Sequence, residues 1–217
     1  MMKLVVFFWI RCLFFCLFSW GSIAGADEKS VRSFEPVFRV LSSGAVTTLD
    51  PQKSLVRTNR TVSAYLFDPL FTIKQGEPVP ILVDSYKWLT PTRWEFSLKK
   101  GVLFHDGSEL TSHDVVATFN RARRLKNTAY TYLKGKDITA LDTYRFQVDT
   151  ATPNSELLWG LGEIFVIKHT AEQADSDEFD QGGQLVGTGP YQLVERKNFE
   201  QLTLKAFMGY HRGAAYI

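Results

Sequence analysis

The run from Arg93 to Arg124, RWEFSLKKGVLFHDGSELTSHDVVATFNRARR, changes its hydrophobic period half-way, and that change constrains the fold more than any other feature. Trp94, Phe96 and Leu98 alternate with Arg93, Glu95 and Ser97, the two-residue period of a half-buried strand. Lys99-Lys100-Gly101 reads as a turn, and Val102 and Phe104 as a second short strand. Asp106-Gly107, after His105, reads as another turn, because this pair tolerates the backbone angles of a sharp reversal. The period then becomes helical. Thr111 is placed to cap a helix, and Asp114 sets a carboxylate at its positive end. Val115, Val116, Phe119 and Ala122 form one apolar stripe, while Arg121, Arg123 and Arg124 load the C-terminal end, where cations offset the helix dipole. The basic cluster from Arg121 to Lys126 therefore reads as a helix end facing solvent. With every local signal in agreement, this unit is a scaffold, and it requires a fold of mixed α and β structure.

The flanks carry shorter signals. Val37 to Leu41 reads as a strand, followed by Ser42-Ser43-Gly44-Ala45, a small-residue loop where backbone can approach a ligand closely. The same four residues also read as an ordinary strand exit. Leu49-Asp50-Pro51 is a turn. Within Thr58 to Phe71, Val62, Tyr65, Leu66 and Leu70 lie at helical spacing, with Pro69 disrupting the run, and Leu70 to Ile73 reads as a strand reaching Gln75-Gly76-Glu77. Ile138 to Leu141 and Tyr144 to Val148 read as a hairpin around Asp142-Thr143. A short helix runs through Leu157, Leu158 and Trp159, and Ile164 to Ile167 suits a buried strand. Ala171 to Gln184 reads as an acidic surface loop and Gly187-Thr188-Gly189-Pro190-Tyr191 as a rigid turn. Two strands, Tyr191 to Glu195 and Gln201 to Phe207, follow.

Met1 to Ala26 stands apart. Lys3 and Arg11 precede an apolar run, and Ala24-Gly25-Ala26 is a small-x-small cleavage site, predicting a mature start at Asp27 and secretion to the periplasm. Cys12 and Cys16 both lie in that leader, so the mature chain has no disulfide framework and must rely on an apolar core. Setting aside Lys3 and Arg11 leaves 23 basic against 23 acidic residues. A neutral mature chain without a basic stripe gives no reason to expect nucleic-acid binding.

Catalysis finds no candidate. His105-Asp106 and His113-Asp114 lack a third ligand at motif spacing, so no metal is expected. Strands rather than a helix follow Gly187-Thr188-Gly189, which excludes a dinucleotide loop, and the mature chain has no cysteine nucleophile or Gly-x-Ser-x-Gly elbow. Asp175, Asp177 and Glu178 read as solvated. No enzyme activity and no cofactor are expected. Binding is better served, because Tyr130, Tyr132, Trp159 and Tyr191 lie in loops or at strand ends, where aromatic rings give broad contact, although core packing accounts for such residues equally well.

The chain resembles the family 5 extracellular solute-binding proteins, the oligopeptide, dipeptide and nickel-chelate receptors of ABC importers. The matching residues are Leu49-Asp50-Pro51, Leu66-Phe67-Asp68-Pro69-Leu70, Trp94 to Val102, Phe104 to Thr111, Asp114-Val115-Val116 with Phe119, Gly187 to Tyr191, and Tyr210-His211-Arg212-Gly213, in family order. Thr90-Pro91-Thr92-Arg93 departs from the family's acidic-glycine turn, and Leu82 to Ser85 from its Leu-Ala pattern. The resemblance implies part of a two-lobed clamshell that closes on a peptide or other small solute and hands it to a membrane permease. It implies a first lobe begun by residues 27–71, an accessory domain over 72–170, the acidic loop at 171–186 and a return to the first lobe at 187–217. Ser42, Ser43, Gly44 and Ala45 would then line the cleft, and Tyr130, or Tyr132 by a small shift, would reach the ligand. Family members are usually much longer, so the second lobe is expected to be missing and binding by this chain alone to be impaired. A docking or sensor module built on the half-clamshell is the alternative.

Overall fold

The computed structural model describes residues 37–38, 44–197 and 201–214, all within the compact unit Glu35–Ile217. The predicted leader, with its cleavage site, and the candidate residues Ser42 and Ser43 lie outside the described residues.

Nine strands form three antiparallel sheets among the described residues. β1 (Val37–Phe38), β8 (Tyr191–Lys197) and β9 (Gln201–Ala206) make one, in the order β1-β9-β8. β2 (Phe71–Lys74) and β3 (Glu77–Pro80) form a hairpin around Gln75 and Gly76, both at positive φ. β4 (Val83–Thr90), β5 (Arg93–Leu98), β6 (Lys136–Ala140) and β7 (Arg145–Thr150) make the largest sheet, in the order β4-β5-β7-β6. The alternation read in Arg93–Leu98 is realised: Trp94, Phe96 and Leu98 are buried, and Phe96 stacks on Phe146 of β7 at 5.0 Å.

α1 (Arg57–Leu66) buries Asn59, Val62, Ser63 and Leu66. α2 (Ser112–Leu125) carries the predicted capping box, in which Asp114 Oδ2 accepts from the Thr111 amide and hydroxyl at 2.8 Å each. α3 (Tyr130–Leu133) and α4 (Leu157–Gly162) are short. Leu70, Phe71, Phe96, Phe104, Phe119, Phe146 and Leu161 belong to one core cluster, between the large sheet and α2–α4. Val46, Leu49, Leu66, Phe67, Phe165, Phe179 and Leu204 belong to a second, around α1 and the β8–β9 pair.

Four expectations are corrected. Residues 164–167 are buried but not a strand, holding one bridge between Phe165 and Pro69. Residues 102–104 are not a strand: they fold back around Asp106-Gly107, the Phe104 amide donating to Ser108 O at 2.8 Å, and leave one bridge between Leu103 and Glu109. Residues 171–184 are not a plain loop. They hold the end of a 3-10 turn, His169–Ala171, and α5 (Ser176–Asp180), which Asp175 and Glu178 close with a second capping box because Phe179 is drawn fully into the core. Lastly, Arg121 does not face solvent. It lies three residues past Thr118 and seven past Asp114, on the buried side of α2, and is fully enclosed.

Candidate functional site

Among the described residues, the candidate residues Gly44 and Ala45 are exposed against the first turn of α1. Thr58 Oγ1 donates to the Ala45 carbonyl at 3.4 Å, and a Cβ at Gly44 would sit 3.2 Å from Thr58 Cγ2. The following residues are clasped to the helix by Asn59, which accepts from the Thr47 amide at 3.0 Å and donates to Thr47 Oγ1 at 2.9 Å and Ser54 Oγ at 3.0 Å. Leu55 and Val56, just before the helix, are 45% and 59% exposed. Small-residue backbone and two uncovered apolar side chains thus share the start of α1.

Beneath this edge the 48–52 turn is pinned. Asp50 Oδ1 and Oδ2 accept from Arg121 Nη1 at 3.1 Å and Nη2 at 2.9 Å, both side chains being fully buried. Arg121 also donates to Gln52 Oε1 at 2.8 Å and to the Ala174 carbonyl at 2.9 Å, and its guanidinium lies 4.4 Å from the centre of the Phe179 ring. Ser176 Oγ donates to Asp50 Oδ2 at 2.6 Å. Each donor and carboxylate oxygen named here has a partner, the condition under which a buried pair is tolerated. Asp180 holds the same turn from the other side through Leu49 N and Thr48 Oγ1, at 2.6 and 2.9 Å.

The turn continues to the candidate tyrosines. Gln52 O accepts from Ala129 N at 3.2 Å and Lys53 O from Thr128 Oγ1 at 2.6 Å, joining the turn to the start of α3. Tyr130 and Tyr132 are half-buried and packed against the larger core cluster, Tyr132 beside Gly160 of α4. The structure therefore connects Gly44–Ala45 with the tyrosines through the pinned turn, while packing is a large part of what the two rings do. Trp159 is 38% exposed and donates through Nε1 to Gly76 O at 3.0 Å.

A second polar knot involves the motif residues nearest the C-terminal end. Asp68, buried just after α1, accepts from Thr188 Oγ1 and Tyr210 Oη and meets His211 Nε2, each at 3.2 Å. Burial, reinforced by the Asp68 charge, pushes the Tyr210 phenol up to about 12. His105 spans the Gly187–Gly189 turn: the Gly187 amide donates to Nδ1 at 3.3 Å, and Nε2 lies 3.0 Å from Gly189 O. This geometry suits a neutral ring protonated on Nε2, and burial holds the His105 pKa below 6.5, outweighing the Gly189 carbonyl. A depressed histidine contributes stability that is present above 6.5 and lost as the pH falls through the folded value. Urea unfolding from about pH 8 to about pH 5 is expected to show stability falling more steeply for the native chain than for His105→Gln; parallel curves would contradict this.

Asp106 and Asp114, like His105, have local tasks. Asp114 Oδ1 accepts from His169 N at 2.8 Å and Asp106 pairs with Lys168. Among the described residues, no group of three His, Cys, Asp or Glu side chains is placed to hold a metal ion, and no helix is long and apolar enough to cross a membrane.

Residues 77–217 match the family model described as bacterial extracellular solute-binding proteins, family 5. The chain belongs to that family. Among curated relatives, the uncharacterized protein YhjP of Bacillus subtilis strain 168 is 32% identical over 201 residues, covering 91% of this chain and 33% of its own. The HTH-type transcriptional regulator SgrR of Pectobacterium atrosepticum is 27% identical over 184 residues, covering 84% and 32%. This chain thus spans about a third of the length of these relatives. Among solved structures, MoaA of A. tumefaciens R10, in complex with mannopinic acid, superposes with a TM-score of 0.69 at 25% identity over 78% of this chain and 36% of its own. The oligopeptide-binding protein AppA of Bacillus subtilis, in complex with a nonapeptide, gives 0.70 at 22% identity over 79% and 36%. The fold is that of part of a periplasmic binding protein. The family 5 match begins after α1, so Gly44, Ala45, Leu55 and Val56 lie outside the matched residues and their case rests on exposure and geometry.

Proposed function

We propose that this family 5 protein is the substrate-binding component of an ABC importer, secreted to the periplasm by cleavage after Ala26. It captures peptides or similar small solutes and delivers them to a membrane permease. In this reading residues 27–71 and 187–217 contribute to the first lobe, 72–170 form an accessory domain and 171–186 join them. Ser42, Ser43, Gly44 and Ala45 offer backbone groups to the ligand, and Tyr130 and Tyr132 offer aromatic contact. The observation that carries the reading is the exposed Gly44–Ala45 edge with uncovered Leu55 and Val56, in a chain whose fold matches a solute-bound structure at 25% identity. A wall facing this edge is part of the proposal, and residues 27–217 alone are expected to bind weakly.

Backbone NMR of residues 27–217 titrated with a mixed di- to pentapeptide library tests this. Saturable shifts at Gly44, Ala45, Tyr130 and Tyr132 are expected, with dissociation constants of about millimolar. Micromolar affinity would overturn the weak-binding part, and no saturable shift at these residues would overturn solute capture at this edge. The SgrR similarity favours a second reading, in which the same capture feeds a sensor rather than a permease. Pull-down with the purified chain separates the two by the partner recovered.

A further inference from the structure

The cavity beside Tyr130 carries a charge imbalance. It measures about 230 Å3 and lies between Arg123 of α2, Tyr130 and Leu133 of α3, and the paired ends of β6 and β7. Its carboxylates are accounted for. Asp137 Oδ1 accepts from Arg123 Nη2 at 3.2 Å, and that guanidinium also donates to the Lys136 carbonyl at 2.9 Å. Asp149 accepts from Arg93 Nε and Gln147 Nε2, at 2.6 Å each. The Lys136 ammonium and the Tyr130 hydroxyl remain: among the described residues neither side chain makes a hydrogen bond or ion pair. Both line this cavity.

Lys136 is not a free surface lysine. It sits opposite Thr150 in the ladder, two residues before Ile138, which packs on the larger core cluster, and the residue is half-buried. Burial lowers its pKa, the response of an ammonium that has lost water and gained no counter-charge. A partly desolvated cation of this kind favours an anion that can reach it. The volume is below the roughly 300–1,000 Å3 of pockets that enclose a drug-sized ligand whole, so it suits one group of a ligand.

We propose that this cavity binds the oxyanion group, carboxylate or phosphate, of a small solute. The Lys136 ammonium supplies the counter-charge, the Tyr130 hydroxyl a second donor and Leu133 an apolar surface. The inference rests on the solute-binding reading above and narrows it to acidic solutes.

The test is NMR titration of the full chain with succinate, with inorganic phosphate and with neutral succinamide, at constant ionic strength. Saturable shifts over Tyr130–Asp137 and Asp149–Ala151 are expected with at least one anion and not with succinamide; succinate or phosphate alone identifies the source. Lys136→Met, which keeps the apolar stem, is expected to weaken that binding roughly tenfold or more, the scale of a lost charge-assisted hydrogen bond. Lys136→Gln serves if the methionine variant fails to fold. Equal shifts with succinamide, no saturable shift with either anion, or unchanged anion affinity in the folded variant would each overturn the site. Peptide-library binding at Gly44 and Ala45 that survives such a failure leaves solute capture standing; loss of both removes the broader reading as well.

Discussion

Replacing Asp50 by alanine is expected to lower the unfolding free energy by about 3–5 kcal/mol, the range for stranding one member of a buried ion pair. The cost comes from what is left behind. Arg121 would remain fully buried among Gln52, the Ala174 carbonyl and the Phe179 ring with its counter-charge gone. Relieving that charge requires the arginine to swing out, which opens the contact of α2 with the 174–179 segment. Ser176 Oγ would lose its acceptor as well. The double variant Asp50→Leu with Arg121→Met is expected to recover much of the loss, since apolar pairs of similar size commonly replace buried ion pairs at little net cost. Urea midpoints for the native chain, both single variants and the double variant measure this. A loss of under about 1 kcal/mol for Asp50→Ala would mean that the pair is not closed in solution. The pinned turn lies between Gly44–Ala45 and the start of α3, so Asp50→Ala should also displace the resonances of Gly44 and Ala45.

What the amino-acid order revealed about this region divides by distance along the chain. The strand over Arg93–Leu98 and the Thr111–Asp114 cap were legible because their causes are local: a two-residue period, and a carboxylate three residues past an N-cap. Arg121 was read as a solvent-facing cation because its neighbours Arg123 and Arg124 are. Its partner is 71 residues away, and no local rule links an acidic residue before Pro51 to an arginine on α2. The signal that was available is helical phase, which places Arg121 with Asp114 and Thr118 rather than with Arg123. α5 was missed for a different reason. Acidic composition masked the Asp175–Glu178 spacing of a capping box and the single aromatic, Phe179, that anchors it. At the candidate site, Gly44 and Ala45 were legible as a small-residue segment with accessible backbone, and both are exposed. The uncompensated state of Lys136 was not legible at all, because it is defined by which carboxylates other cations have already taken.

The Gly187–Gly189 turn is expected to be nearly as intolerant as the ion pair, for steric reasons. Neither glycine is needed for a positive φ; both are needed because the turn lies against the end of α1. A Cβ at Gly187 would stand 1.9 Å from Leu66 O and 2.7 Å from Phe67 Cδ1. At Gly189 the nearest atoms would be Leu66 C at 2.5 Å and Phe67 N at 2.6 Å. Most of these are backbone atoms of the helix terminus, so no rotamer change relieves the overlap. The turn must retreat instead. Retreat breaks the Gly189 N to Leu66 O bond of 3.1 Å and draws Thr188 off Asp68. It also removes Gly187 and Gly189 from His105 and opens that ring to solvent. Gly187→Ala or Gly189→Ala is therefore expected to cost about 3 kcal/mol or more, at or above the top of the usual overpacking range. Gly183→Ala is the control, because its Cβ would meet only Glu178 O at an ordinary 3.6 Å. That variant should stay within about 0.5 kcal/mol of the native chain. Equal urea midpoints for Gly187→Ala and Gly183→Ala would show that the turn does not lie against α1 in solution. If the steric account holds, the alanine variants should also flatten the pH dependence assigned to His105, since an imidazole released to solvent loses the burial that depressed its pKa.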